Sequence, residues 1–388
     1  MIVGLDAKRI VRNGTGLGSY GRTLVNDLLR LGDSELELRL YAPDEGKDEL
    51  RGQIIEGATF CYPTAKPSGT VGALRKAWWQ SSGTVGALRK AWWRSKGIVK
   101  DLKRDGVSVY HGLSGELPIG LRKAGIPGVV TIHDLIFLRH PEYYQWIDTK
   151  IYEWKFRQTL RETEHIIAIS ERTRQDIIEL GGAEYADRIS VIYQSFSPRF
   201  TKEISASKKA EVKQRYELPA RYVLNVGTIE RRKNLLLVAE ALDLMPKDIH
   251  LVAVGRKTSY ADELPPSDRI HLLSGVPDDD LAAIYAMGEA FAYPSRYEGF
   301  GIPIIEAIAA GLPVVACTGS CLEEAGGPHC RYVGPDDVAG MAETLQMSLR
   351  GAHDREQRIA KSREYIKRFE GCDVAGQVAK IYNTLRRT

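Results

Sequence analysis

The chain has 388 residues, of which 43% are hydrophobic and 27% charged, an ordinary globular profile that is long enough for two domains. Its 54 basic and 50 acidic residues leave a formal charge of +4, which is too balanced to indicate nucleic acid as a partner. The sequence has no run of about 18 apolar residues and no apolar signal-peptide core after MIVGLDAKRI, so we expect neither a membrane span nor a signal peptide.

The five cysteines favour free thiols over disulfides. Their odd number and the absence of a C-x-x-C pair do not match a disulfide framework. Cys317, Cys321, His329 and Cys330 lie close in sequence, but their spacing matches no zinc-binding pattern. We therefore expect reduced thiols, no metal site and a cytoplasmic location.

The first elements follow the order strand, glycine-rich loop, helix. Residues 2–5 form a short apolar strand, residues 12–18 read RNGTGLG, and an apolar helical periodicity follows over residues 19–31. This order can cradle a phosphate, because the loop and the helix N-terminus present backbone N–H groups. Many such turns bind nothing, however, and no acidic residue follows at the next strand end, which disfavours ordinary NAD binding.

A tandem repeat lies within an unusually basic segment. Residues 57–100 contain eight Lys or Arg, four of the six tryptophans and no Asp or Glu. The sequence SGTVGALRKAWWQS at 68–81 recurs at 82–95 with one difference, Gln80 against Arg94. Two copies of this length are too few for a solenoid, so we interpret them as a local duplication that lengthens a helix or loops out.

Each copy of the repeat brings basic and aromatic side chains together. Such residues attract anionic headgroups and favour the membrane interface, so residues 66–100 predict peripheral contact with an anionic membrane at its inner face. The alternative is that one Trp pair packs in the core and the cations are solvated. The residues concerned are Arg75, Lys76, Trp78 and Trp79 in the first copy and Arg89, Lys90, Trp92 and Trp93 in the second.

The rest of the chain twice alternates short apolar strands with helices. This alternation predicts two doubly wound parallel sheets in domains 1–198 and 199–388, with a ligand cleft at the carboxyl ends of the strands. A last helix over 355–385, bent near 370–371, is expected to pack back on the first domain. The other predicted strands are 36–41, 107–110, 129–132, 165–169, 189–192, 222–226, 249–254, 270–273 and 291–293, and long helices cover 148–163 and 170–180.

The stretch AYPSRYEGFGIPIIEAIAAGLPVVA, residues 292–316, carries two carboxylates eight positions apart. Glu298 is predicted in a loop, and Glu306 near the start of a helix whose first residue is Pro303. The carboxylates and loop N–H groups would then face one crevice suited to a polar, partly anionic ligand. The alternative is a pair of solvated charges at a helix end.

Several motifs coincide along the chain, and together they resemble the retaining family-4 glycosyltransferases of the GT-B fold. They are the glycine loop, VVTIHDL with His133, SERT, VIYQSFSPRF, GTIERRKN and SRYEGFGIPIIEA. The resemblance covers nearly the whole chain except the repeat, and the glutamate pair around Gly-Phe-Gly is its specific part. It implies an α/β fold of two Rossmann-like domains facing a central cleft.

The resemblance also implies roles for individual side chains. Lys233 and Arg232 match cations that would stabilise the departing diphosphate of a nucleotide-sugar. Glu306 would accept hydrogen bonds from the ribose hydroxyls. The implied catalytic residues are Glu298, which would bind hydroxyls of the sugar ring, and His133, which would lie near the sugar's 6-position.

Backbone groups complete the implied site. Gly16 would let the first domain approach the phosphates closely, and the N–H groups of Phe300 and Gly301 would lie beside the sugar-binding glutamate. One departure is Thr228, at a position where many members carry an arginine. Either one phosphate contact is lost, or Arg231 is a candidate replacement.

The implied reaction is transfer of a hexose with retention of configuration, with no metal ion and no cofactor. The loop ERRKN and the His-Asp strand end are most similar to members that transfer mannose from GDP-mannose. We therefore expect a mannosyl donor and a glycan or lipid-linked acceptor in cell-surface polysaccharide or lipopolysaccharide assembly. The alternatives are a sugar-nucleotide epimerase or phosphorylase of the same fold, and a non-catalytic nucleotide-sugar-binding protein.

Overall fold

A computed structural model describes residues 1–63 and 84–386. It divides them into two compact units. Of the described residues, the first unit comprises Met1–Ile169, Thr173–Tyr193 and the chain from Asp373 onward, and the second comprises Ser170–Arg172 and Gln194–Cys372.

The first unit is built on a seven-stranded parallel sheet. Its strands are β1 Ile2–Asp6, β2 Glu37–Tyr41, β3 Ala58–Cys61, β4 Val109–Gly112, β5 Gly128–Ile132, β6 His165–Ala168 and β7 Ile189–Val191. Their spatial order is β3-β2-β1-β4-β5-β6-β7, with parallel pairing throughout. The strand order reverses between β1 and β4, which is where ligands bind in open parallel sheets.

The second unit repeats this plan with six parallel strands. They are β8 Tyr222–Val226, β9 His250–Val254, β10 Ile270–Leu273, β11 Ala290–Tyr293, β12 Val314–Cys317 and β13 Arg331–Val333, in the order β10-β9-β8-β11-β12-β13. The central strands are apolar runs because helices bury both of their faces. The switch point lies between β8 and β11.

Helices connect the strands in both units. In the first part of the chain they are Lys8–Arg12, Gly16–Arg30, Asp48–Arg51, Thr84–Trp92, Ile98–Arg104, Leu121–Ala124, Ile136–Arg139, Trp146–Glu162 and Glu171–Gly181. The later helices are Ala206–Arg215, Leu235–Ala241, Asp278–Met287, Ile302–Ala309, Leu322–Gly326, Val338–Gln346, Arg355–Ile366 and Val374–Arg386.

Two strands and the final helix differ from the sequence-based expectation. The unpredicted strands β3 and β13 lie at sheet edges and are only partly buried, so their apolar pattern is weak. The predicted long final helix is wrong: Arg355–Ile366 and Val374–Arg386 are separate, with Gly371 at φ +57° between them. The second of these helices buries Tyr382 in the core of the first unit.

The second copy of the repeat is helical from Thr84, and the first copy, with its basic and aromatic residues, lies outside the described residues. The helix Thr84–Trp92 continues through the π-helical turn Trp93–Gly97. Trp93 is only 3% exposed, and its indole N–H donates to Asp101 at 2.8 Å. Core packing, the alternative to membrane contact, therefore holds for Trp93, whereas Trp92 is 56% exposed.

Candidate active site

The second unit brings Lys233, Tyr293 and Glu298 together at the switch point of its sheet. Lys233 ends the 3-10 turn Arg231–Lys233, which follows β8, and Tyr293 is the last residue of β11. Strands β8 and β11 are paired neighbours, so the loops that follow them meet at the carboxyl edge of the sheet. Glu298 comes from the loop after β11, which reaches back over this edge.

Polar contacts join Lys233, Arg232 and Glu298, three of the predicted residues, with Tyr293 into one cluster. Lys233 Nζ donates to the hydroxyl of Tyr293 at 3.0 Å and also to Glu298 Oε1. Arg232 Nη1 lies 3.1 Å from Glu298 Oε2 and donates to the carbonyl of Tyr297 at 2.6 Å. Each oxygen of the Glu298 carboxylate therefore contacts a cation.

The cluster keeps Glu298 ionised. Burial by itself would raise the pKa of this carboxyl, but the charges of Lys233 and then Arg232 outweigh burial and lower the pKa to about 2. The same carboxylate raises the pKa values of Lys233 and Arg232 above their ordinary values, although burial opposes both shifts. Glu298 is therefore a permanent hydrogen-bond acceptor at physiological pH and is unsuited to act as a general acid.

Glu306 occupies a different environment. It is the fifth residue of the helix Ile302–Ala309, near the helix start as predicted, and the helix begins after Gly301, whose φ is +120°. Tyr285 donates to Glu306 Oε2 at 3.3 Å. Burial raises the pKa of Glu306 to about 7, against the opposing hydrogen bond from Tyr285. The two glutamates thus differ in charge state near neutral pH.

Phe369 and Cys321 contact the loop between the two glutamates and hold it in place. The ring of Phe300 is 3% exposed and packs edge-on against Phe369 at a centroid distance of 5.3 Å. The thiol of Cys321 lies 3.1 Å from the carbonyl oxygen of Glu298 and 2.9 Å from that of Phe300. Burial raises the pKa of this thiol well above its ordinary value, so it stays a donor.

The remaining loop residues have structural partners. Arg231, the candidate replacement for an arginine at Thr228, donates to Glu263 at 2.6 Å. Asn234, three residues after Arg231, has φ +56° and makes no side-chain cap to the helix Leu235–Ala241. Its side chain donates instead to the carbonyl of Pro335 at 2.8 Å, which ties the loop to the chain after β13.

The first unit contains a cavity of about 220 Å³ at the end of β5. His133 follows β5 directly, and its Nε2 lies 2.9 Å from the carbonyl oxygen of Leu113. A carbonyl can only accept, so Nε2 carries the proton and Nδ1 is the acceptor nitrogen. Burial lowers the pKa of His133 to about 4, so the ring is neutral at neutral pH. Other lining residues are Arg9, Leu17, Glu116, Asp134, Tyr144, Tyr152 and Lys155.

The glycine loop borders the same cavity. Gly16 is the first residue of the helix Gly16–Arg30, and a Cβ there would meet no heavy atom within 4 Å. Gly18 is sterically constrained instead, because a Cβ would lie 1.8 Å from the carbonyl oxygen of Asn13. Leu17, between the two glycines, lines the cavity with His133.

Four polar residues of these sites were not predicted from the sequence. Tyr293 and Cys321 support the Glu298 cluster, and Glu116 and Lys155 line the cavity beside His133. Tyr293 has a usable signal, since a polar side chain that ends a buried strand lies at the ligand edge of a parallel sheet. The other three carry no local signal, because distant segments bring them into place.

Within residues 1–63 and 84–386, no group of three or more His, Cys, Asp or Glu side chains is arranged to hold a metal ion. All five cysteines lie in this range and none forms a disulfide. The same part of the chain contains no helix that is both long and apolar enough to cross a bilayer.

Two Rossmann-like parallel-sheet units, each with its own switch point, are the architecture of the GT-B fold. Family models agree: Glycosyltransferase Family 4 matches residues 15–198, and Glycosyl transferases group 1 matches residues 207–364. The chain belongs to this group 1, family-4 class of glycosyltransferases. Its membership rests also on the O-antigen chain mannosyltransferase B of Escherichia coli, 31% identical over 71% of this chain and 74% of that protein.

Two further comparisons are more distant. The serotype-specific mannosyltransferase WbdA of Escherichia coli is 26% identical over 63% of this chain, which spans only 32% of WbdA. The crystal structure of Anabaena Alr3699/HepE in complex with UDP and glucose has a TM-score of 0.71 and 18% identity, and the match covers 99% of both chains. This last likeness supports the fold alone.

Proposed function

We propose that this glycosyltransferase transfers mannose from GDP-mannose, with retention of configuration, to a glycan or lipid-linked acceptor of a cell-surface polysaccharide. The observation that carries the proposal is the cluster of Lys233, Arg232 and Glu298 at the sheet's switch point. The choice of mannose and of a surface glycan is supported by the relatives, whose names describe mannosyltransferases of O-antigen chains.

In this proposal Lys233 and Arg232 bind the donor's diphosphate. Both are more than four-fifths buried, so their charges act in a medium of low effective dielectric. Arg232 has further N–H groups besides the one near Glu298, which can be shared with phosphate oxygens. These cations stabilise the negative charge that develops on the leaving diphosphate, so the reaction needs no metal ion.

The glutamates divide the recognition of the rest of the donor. Glu306 accepts hydrogen bonds from the two ribose hydroxyls. Glu298 accepts them from the hydroxyls of the mannose ring, and the N–H groups of Phe300 and Gly301 donate to oxygens of the same ring. The acceptor hydroxyl attacks the anomeric carbon on the face from which the diphosphate departs. The glycosidic C–O bond breaks as the new one forms, and the acceptor's proton passes to the departing phosphate oxygen.

The acceptor sugar occupies the cavity of the first unit in this proposal. Tyr144 and Tyr152 offer aromatic surface for a sugar ring, and Glu116, Asp134 and Lys155 offer hydrogen-bonding groups for its hydroxyls. His133 serves the reaction centre as a neutral hydrogen-bonding residue. Gly16 leaves room beside it for close approach of the phosphates.

A donor panel tests the proposal. The chain is incubated with GDP-mannose, GDP-fucose, UDP-glucose or UDP-galactose, and with a synthetic octyl α-mannoside as acceptor, while release of nucleoside diphosphate is followed. We expect GDP release with GDP-mannose, a product that NMR shows to keep the α configuration, and full activity in EDTA. Glu306→Ala should weaken GDP binding at least tenfold, whereas Glu343→Ala, an exposed acid of the same unit, should not.

Other outcomes select the alternatives. Conversion of the donor to an epimer without release of GDP indicates an epimerase, and release that depends on inorganic phosphate indicates a phosphorylase. If no donor is consumed and Glu306→Ala still binds GDP normally, the enzyme proposal fails and a binding protein remains.

We also propose peripheral contact with an anionic membrane, through an exposed apolar surface of the first unit. In the described part of the second repeat copy the exposed large hydrophobic residues are Val85, Leu88 and Trp92. The helix Trp146–Glu162 adds a second patch, and the two segments approach each other where Ser95 and Trp154 line one small cavity. The exposed large hydrophobic residues of this helix are Trp146, Ile147, Ile151, Tyr152 and Trp154.

Vesicle flotation tests this contact. Trp92→Ala and Trp146→Ala should each reduce binding of the chain to vesicles that contain phosphatidylglycerol, because Trp favours the interface. Leu244→Ala, which removes an exposed apolar side chain of the second unit, is the matched control. Equal binding of all four proteins would exclude this surface as the membrane contact.

A further inference from the structure

The second copy of the repeat ends in a charged network in the first unit. The side chain of Arg94 is 14% exposed, and its Nη2 lies 2.9 Å from Glu116 Oε2 and 3.5 Å from Asp6 Oδ2. Lys155 Nζ lies 3.0 Å from the other oxygen of Glu116. Glu116 is therefore held at both oxygens, by a cation of the repeat and by a cation of the helix Trp146–Glu162.

This network forms a wall shared by two cavities. Glu116 and Lys155 line both the cavity of about 220 Å³ beside His133 and a smaller one of about 50 Å³. Arg94 and Asp6 line the smaller cavity only. Arg94 therefore contacts Glu116, which lines the larger cavity, without lining that cavity itself.

Arg94 pairs with one buried carboxylate, that of Asp6, and with the partly exposed carboxylate of Glu116. The side chain of Asp6 is 6% exposed, and within the described residues its ion-pair partner is Arg94. Burial opposes ionisation of Glu116, but Arg94 and then Lys155 outweigh it and lower the pKa of this carboxyl. Removing one partner from a buried ion pair leaves a charge uncompensated, which is costly.

We propose that Arg94 is a positioning residue for the acceptor and that it makes the second copy of the repeat the functional one. The two copies differ only here, and the first has Gln80 at the equivalent position. A glutamine amide can donate hydrogen bonds to carboxylates, but it carries no charge and cannot neutralise Asp6 and Glu116. This inference rests on the proposed function, in which the cavity beside His133 holds the acceptor's sugar.

A pair of single substitutions tests the role of Arg94. Arg94→Gln makes the two copies identical, and Gln80→Arg is the matched control. With GDP-mannose and the octyl α-mannoside, Arg94→Gln should raise the KM for the mannoside about tenfold and leave the KM for GDP-mannose within about twofold. Gln80→Arg should change neither value. An unchanged KM for the mannoside in Arg94→Gln overturns the inference.

A double-substitution cycle separates positioning from general destabilisation. If Arg94 acts through Glu116, Arg94→Gln should change the mannoside KM less than about twofold in a Glu116→Gln background. Fully additive effects contradict this coupling. If Arg94→Gln melts below the assay temperature, Arg94→Lys carries the test, because it keeps the charge but loses the guanidinium's fork and should still raise the mannoside KM.

Two deletions give a sharper comparison. Removal of residues 68–81 keeps Arg94, whereas removal of residues 82–95 leaves Gln80 before the common Ser-Lys sequence, so the shortened chains differ at one residue. The first should keep the parent KM for the mannoside, and the second should show the increase seen with Arg94→Gln. Equal values overturn the inference. Absence of any transfer by the parent chain overturns the proposed function and this inference with it.

Discussion

Lys233 and Glu298 stand 65 residues apart in the chain and form an ion pair in which the side chains are 16% and 11% exposed. Lys233 was predicted to bind ligand from the motif GTIERRKN, and Glu298 from the motif SRYEGFGIPIIEA. Their direct contact means that each fixes the position and charge of the other. Substitutions at one therefore report on both.

The first prediction concerns this pair. Lys233→Met leaves Glu298 with Arg232 as its remaining cation, so we expect unfolding free energy to fall by about 2–4 kcal/mol in urea titrations. Lys233→Met combined with Glu298→Gln should recover most of that loss. Lys367→Met, which breaks an exposed pair with Glu364, should have a much smaller effect on the free energy of unfolding. A similar cost for the two lysine variants would contradict the prediction.

The second prediction follows from the raised pKa of Glu306. Below about pH 7 the carboxyl is protonated and cannot accept two hydroxyl hydrogen bonds as well as the carboxylate can. GDP affinity, measured by calorimetry, should therefore rise with pH through an apparent pKa near 7. Glu306→Gln should bind more weakly at high pH and lose this pH dependence, whereas Glu343→Gln should retain it. A flat pH profile in the parent protein would exclude the proposed role of Glu306.

The third prediction concerns acid stability. Burial lowers the pKa of His111 to about 3 and that of His133 to about 4, below the ordinary value of about 6.5 for the unfolded chain. The unfolded state thus binds protons that the folded state does not, so the stability present above pH 6.5 is lost as pH falls toward 4. His111 is fully buried, with Nδ1 2.6 Å from Tyr382 Oη and Nε2 2.8 Å from Thr131 Oγ1.

His111→Gln should therefore lower stability at pH 7 but flatten its dependence on pH between 6.5 and 4. The expected change in slope is about 1 kcal/mol per pH unit, read from urea midpoints at several pH values. His353→Gln, at an exposed position, is the control and should leave the slope unchanged. A parallel shift of the whole curve in His111→Gln would show that the histidine does not titrate differently on folding.

The fourth prediction concerns the thiol behind the glutamate loop. Cys321→Val removes a donor to the carbonyl oxygens of Glu298 and Phe300, so we expect a loss of stability of about 1–2 kcal/mol and weaker GDP binding. Cys317→Val is the matched control, since Cys317 is equally buried and has no sulfur hydrogen bond within the described residues. Equal effects of the two valine substitutions on GDP affinity would point to packing rather than to the hydrogen bond.

The sequence predicted the parallel-sheet class and most central strands, including β8 at its observed bounds. Those strands are buried on both faces and therefore read as apolar runs between turn signals. It failed at β3 and β13, whose edge positions weaken that pattern. It also joined two final helices, although Gly371 lies between them at a positive φ that glycine adopts at little cost.

The glutamate stretch, the cationic loop and the His-Asp strand end were recognisable as motifs, since each is a short run with its own spacing. The side chains that contact these motifs could not be recognised from the sequence. Tyr293, Cys321 and Tyr285 reach Glu298, its loop and Glu306 through the fold, and the opposite pKa shifts of the two glutamates depend on those surroundings.

The repeat shows most clearly which features the sequence determines and which depend on the tertiary structure. The sequence by itself determined that two nearly identical segments exist and that Gln80 and Arg94 are their one difference. Only the tertiary structure decided that Trp93 packs in the core while Trp92 is exposed, and that Arg94 meets Asp6 and Glu116. The physical reason is that local sequence sets helix propensity and charge, whereas burial and ion pairing depend on segments distant in the chain.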